Sequence, residues 1–164
     1  AGTLIIARGG RLRETLALRA PSSWKRAAGI GAVVFIGMLV VLVFVDSVLP
    51  MGEAQSAASP WDPDRAIPYM VNALIIVIVA PVVEELMFRG LGFTLLAPFG
   101  QGAAILITAA LFGVGHGLFG LALAATAIGL GLGYLRSRTA SVYPGIAVHV
   151  AINALSVSAI AFGT

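Results

Sequence analysis

Long stretches without formal charge decide what this chain can become. Residues 27–49 carry only Asp46, and residues 67–83, 91–135 and 141–162 contain no Asp, Glu, Lys or Arg. About 20 such residues are enough for a helix to cross the hydrocarbon core of a bilayer. Only 10% of the 164 residues are charged, against about 25% in ordinary soluble domains. The expectation is an all-α, polytopic membrane bundle of about five transmembrane helices in a cell membrane. A basic segment, residues 1–26, precedes a single membrane domain, residues 27–164.

The basic residues orient the bundle. Of ten, six (Arg8, Arg11, Arg13, Arg19, Lys25 and Arg26) come before the first span, which places the N-terminus in the cytoplasm. The loop 50–65, with Glu53, Asp62 and Asp64 against Arg65 alone, suits the outer side. The run 91–135 ends at Arg136 and Arg138, again a cytoplasmic signal, so it must cross an even number of times. Two crossings are expected, with a cytoplasmic turn at 97–102 and an outer turn at 117–120. The net charge of +3 therefore reads as topology and not as a nucleic-acid surface. The stretch 4–18 reads either as an interfacial amphipathic helix or as a basic tail. The chain opens on Ala1, which leaves room for preceding spans.

The absence of cysteine excludes disulfides, thiolate metal sites and a cysteine nucleophile. Chemistry then rests on a short internal polar set: Glu84, Glu85, Arg89, His116, His149 and Asn153, with Asp46 and Asn72 nearer span ends. Ionisable groups inside a membrane cost several kcal/mol unless paired or wetted, so each is a functional candidate. Glu84 and Glu85 point about 100° apart on a helix, which assigns them different surroundings. Glu85 and Arg89 form the favourable i, i+4 pair, leaving Glu84 to face a cavity. Pro81 removes a backbone hydrogen bond just before the acids and predicts a kink. Glu84 and His116 are equidistant from residue 100, so a helical hairpin sets them level. Phe112 lies one turn before His116, and His149 and Asn153 share one face of the last span, with Pro144 in its first turn. Gly129 and Gly133, one turn apart, predict close helix packing.

In order, these residues form three motifs: Glu84-Glu85-Leu86-Met87-Phe88-Arg89, Phe112-Gly113-Val114-Gly115-His116, and His149-Val150-Ala151-Ile152-Asn153. The arrangement resembles the CPBP family of intramembrane peptidases, which includes type 2 CAAX prenyl endopeptidases and proteins tied to bacteriocin processing and immunity. Similarity runs from about residue 80 to 155. The resemblance implies an endopeptidase that hydrolyses peptide bonds of a membrane-associated or hydrophobic substrate, lipidated or not. It implies catalytic roles for Glu84, which activates water, and for His116, His149 and Asn153, with Glu85, Arg89 and Phe112 in support. Relatives commonly have more spans, so the lateral walls of the substrate cavity are expected either to be missing or to come from another chain, as in an oligomer.

Other intramembrane hydrolases fit less well. No His-Glu-x-x-His is present, only Asp46 lies within a span, and no Gly-x-Ser-Gly occurs. A non-catalytic immunity or scaffold protein is the alternative from another class. A proton-coupled transporter is the third, weakened by the lack of an inverted repeat. If zinc binds, its ligands must come from His116, His149 and Glu84, a poor set, so no obligatory metal is expected.

Overall fold

The structure, a computed structural model, describes residues 9–48, 61–117 and 119–162. Arg8 and Glu53, both used in the topological reading, and residue 118 of the expected outer turn lie outside the described residues. Among the described residues the chain is helical with no strands. A short helix α1 (Gly9–Thr15) precedes α2 (Trp24–Val48), the composite helix α3 (Pro63–Phe99), α4 (Gln101–Gly115), α5 (Phe119–Thr139) and α6 (Tyr143–Phe162). The last five are the expected apolar helices. Four are long and apolar enough to cross a membrane, while α4 has 15 residues. At 1.5 Å per residue α4 is roughly 22 Å long, short of the ~30 Å hydrocarbon core.

Backbone chemistry explains these ends. The hairpin between α3 and α4 tightens at Ala97–Phe99, and Gly100, with φ of 104°, supplies the reversal. At the other end of α4, Gly117 adopts φ of 81° and its N–H reaches the Val114 carbonyl, the left-handed stop that glycine permits. Ahead of α6 the Ser141 hydroxyl accepts the Tyr143 N–H, and Pro144 occupies the first turn.

Helix α5 is the centre of the bundle, packing against α2, α3, α4 and α6. Its glycines are the reason. A Cβ on Gly129 would meet the Ala109 Cα at 2.8 Å, and one on Gly133 would meet Ile105 at 3.3 Å, so α4 and α5 touch nearly backbone to backbone. A Cβ on Gly113 would collide with the Thr126 side chain in the same interface. On the other side of α5, Leu132 and Leu135 join Val34 and Met38 of α2 and Ile152 of α6 in one buried cluster.

The segment after α1 is tied into this bundle. Ala17 is fully buried, and its carbonyl accepts the Val142 N–H at the α5–α6 turn. Arg19 Nε donates to the Ala140 carbonyl at 2.6 Å. A Cβ on Gly90 of α3 would lie 3.1 Å from the Leu16 backbone, so this segment rests directly on the first motif.

Candidate active site

The expected kink at Pro81 takes the form of a widened turn. Residues Ile75–Val79 are π-helical, and the Ala80 N–H bonds back five residues to the Ile75 carbonyl. The wider turn relieves the clash of the proline ring with the preceding turn. In that register the next carbonyl, Ile76, would look to residue 81, which has no N–H. It accepts instead from Asn153 Nδ2 of α6 at 2.9 Å. A second π-helical segment, Glu85–Gly92, holds the motif itself. Here the Phe93 N–H reaches Phe88 and Gly90, and the Arg89 carbonyl between them accepts Arg136 Nε from α5 at 3.0 Å. Each π segment thus displaces a carbonyl, and a side chain from another helix satisfies it, as a low-dielectric surrounding demands.

Between these two attachments lies the ionisable cluster. Glu85 and Arg89 are both fully buried and pair at 3.0 Å, as the i, i+4 spacing predicts. Arg89 Nη2 also donates to the Gly129 carbonyl of α5 at 3.1 Å, and the guanidinium sits 4.6 Å from the Phe112 ring centre. Glu85 is held from the far side as well: a Cβ on Gly145 would come within 2.5 Å of Glu85 Oε2, so only glycine there leaves room for the carboxylate. Phe112, 1% exposed, packs edge-on against Phe88.

Glu84 is 26% exposed while Glu85 is fully buried, which agrees with a free carboxylate beside a committed one. Their surroundings are not separate, however. The buried His149 imidazole lies between them, with Nδ1 3.4 Å from Glu85 Oε1 and Nε2 3.7 Å from Glu84 Oε2. The 100° offset separates the two Cβ directions, but opposite nitrogens of one ring bridge the gap. A carboxylate can only accept from an N–H, so a proton on either nitrogen of His149 has an acid before it, Glu85 at Nδ1 and Glu84 at Nε2.

His116 follows a different pattern. It caps α4, and its Nδ1 donates to the Phe112 carbonyl one turn back at 2.7 Å. Its ring lies 4.5 Å from Phe112, which in turn lies 5.7 Å from the His149 ring. The two imidazoles are thus arranged around one phenyl ring and not against each other. The hairpin brings His116 to the cluster through Phe112, without a direct polar contact to Glu84 or His149. Asn153 faces the same helix as His149, yet its amide is engaged by Ile76.

The sequence reading did not find Gly145, Arg136 or the Ile76 carbonyl. A signal existed for the last: a proline inside an apolar helix orphans a carbonyl, and a polar residue on a neighbouring span is the natural partner. Nothing in the sequence singles out Gly145 among 20 glycines.

The architecture is that of a multi-pass membrane protein whose helices enclose a buried acid–histidine–arginine cluster. A family model described as type II CAAX prenyl endopeptidase Rce1-like matches residues 66–155, more than half of the chain. The chain belongs to that family, and its kind of function is that of a CAAX-type intramembrane protease. The match begins at the first α-helical turn of α3 and ends two residues after Asn153, so it takes in all three motifs. No curated protein and no solved structure matches the chain.

Proposed function

We propose that this protein is an intramembrane endopeptidase that hydrolyses a peptide bond of a membrane-associated substrate with water activated by Glu84. The observation that carries this reading is the Glu85–His149–Glu84 arrangement: a fully buried carboxylate orients one side of the imidazole, and a partly exposed carboxylate meets the other. With Nδ1–H donated to Glu85, His149 offers a lone pair at Nε2, and a water that bridges Nε2 and Glu84 is positioned by both.

Glu84 takes a proton from water as the water oxygen bonds to the peptide carbonyl carbon. The carbonyl electrons move to oxygen, while the Nε2 lone pair of His149 accepts the water's other hydrogen and so orients the attacking oxygen. Collapse breaks the C–N bond, and Glu84 passes its proton to the leaving amine. His116, whose Nδ1 is occupied by Phe112, presents Nε2 to substrate or water. Arg89 holds Glu85, and Asn153 holds the opened turn of α3 against α6, so both act through position. The basic end of the bundle faces the cytoplasm under this reading.

Zinc fits this geometry poorly. Among the described residues no group of three or more His, Asp or Glu side chains is placed to hold a metal ion. His149 has a carboxylate at each nitrogen, and His116 has given Nδ1 to its own helix. No step is therefore routed through a metal.

Mass spectrometry of membrane peptides from cells expressing wild type or Glu84→Gln tests the proposal and identifies the substrate. Cleavage products that depend on Glu84 are expected. Equal cleavage by the Gln variant refutes the assigned base, and protection from a toxic peptide that survives Glu84→Gln together with His149→Ala would favour an immunity protein.

A further inference from the structure

At the end of the bundle opposite Asp46 and Asp62 lies a polar cavity of about 270 Å³, joined to the site above through Arg136. It is lined by Arg19 from the segment before α2, Phe93, Thr94 and Gln101 around the α3–α4 hairpin, and Arg136 and Ser137 near the end of α5. Arg136 is 7% exposed, lies 5.0 Å over the Phe93 ring, and uses Nε on the Arg89 carbonyl. Arg19 likewise uses Nε on a backbone carbonyl. Among the described residues neither guanidinium has a carboxylate within ion-pairing distance. The Thr94 hydroxyl, buried at the cavity wall, has no hydrogen-bond partner.

A buried cation is ordinarily matched by an anion, because removal from water costs several kcal/mol that only a counter-charge recovers. The chain has not supplied one here. Arg136 is that buried cation; Arg19 and Glu14 line the cavity from its exposed rim, and two guanidiniums against one carboxylate give the lining a formal charge of +1. That charge suits a singly charged phosphodiester better than a dianion. The remaining donors, the guanidinium Nη groups and the Gln101 amide, are of the type that phosphate oxygens accept. The cavity sits at the helix ends, where lipid headgroups lie, and Phe93 and Ala97 give it an apolar wall.

We infer that Arg19, Arg136 and Gln101 form a binding site for a phosphate anion, the headgroup phosphodiester of an anionic lipid. Arg136 joins this site to the Arg89 carbonyl, so an occupant braces the π-helical segment that carries the first motif. The inference stands on the cavity and its charges, and holds whether or not Glu84 is the base.

The test is thermal unfolding of the detergent-solubilised protein titrated separately with phosphatidylglycerol, phosphatidylcholine and inorganic phosphate. Phosphatidylglycerol is expected to raise Tm in preference to phosphatidylcholine, and Arg19→Gln to weaken its apparent affinity about tenfold, as loss of one charge-assisted hydrogen bond does. Ser137→Asp places a tethered carboxylate in the cavity and is expected to abolish the lipid response while retaining the fold. A response to inorganic phosphate equal to that of the lipid would support the anion site with free phosphate as its source. Equal stabilisation by the two lipids with none from phosphate overturns the proposal. So does an undiminished phosphatidylglycerol response in both variants.

Discussion

Replacing Asn153 by Ala removes the donor that reaches the Ile76 carbonyl at 2.9 Å and leaves that carbonyl facing a turn from which Pro81 has withdrawn the N–H. A hydrogen bond contributes about 1 kcal/mol net, and an orphaned buried acceptor costs about 1–3 kcal/mol. The expected destabilisation is therefore about 2 kcal/mol. Pro81→Ala returns an N–H at residue 81, which in the π register points to Ile76. In that background Asn153→Ala should cost less than about 0.5 kcal/mol, giving a coupling of roughly 1.5 kcal/mol between two residues on different spans. The assay is reversible unfolding in mixed micelles for wild type, both single variants and the double variant, with turnover measured on the same preparations. Strictly additive costs would refute the latch. Turnover separates the two roles of Asn153. A donor to the oxyanion is worth a factor of about 10²–10³ in kcat, and Pro81→Ala cannot restore that loss. A latch instead predicts that turnover recovers together with stability.

Three further outcomes follow from the same contacts. Glu85→Gln breaks a fully buried ion pair and should destabilise the protein by about 3–5 kcal/mol, whereas Glu84→Gln, at a partly exposed carboxylate, should leave Tm nearly unchanged. Calorimetry of the two variants distinguishes them. Gly129→Ala forces a methyl within 2.8 Å of the Ala109 Cα and should cost about 1–3 kcal/mol, read as a lowered unfolding midpoint in a denaturant series. Chelator treatment, checked by elemental analysis, should leave hydrolysis intact, and activity that returns only with about one equivalent of zinc would make Glu84 or Glu85 a ligand.

Charge placement alone determined the class of this protein. A bilayer tolerates only long apolar helices, so uncharged runs disclosed the five helices, and spacing along a helix disclosed the Glu85–Arg89 pair and the shared face of His149 and Asn153. The glycine spacing at 129 and 133 likewise announced close packing, because a missing Cβ has its effect wherever two helices meet. These are local properties, set by 1.5 Å of rise and 100° of turn per residue. What required the tertiary structure was every pairing between helices. The hairpin symmetry predicts His116 level with Glu84, but at the end of α4 the imidazole turns back onto the Phe112 carbonyl of its own helix, and the Phe112 ring lies between the histidines. The separation expected for Glu84 and Glu85 was overcome by one ring from α6 with a nitrogen on each side. Asn153 was legible as a polar residue on the right face, but its partner is a backbone carbonyl released by a π turn on another span. A register shift of one residue in the backbone leaves no trace in the side-chain pattern, so only the folded chain could show which carbonyls needed Asn153 and Arg136.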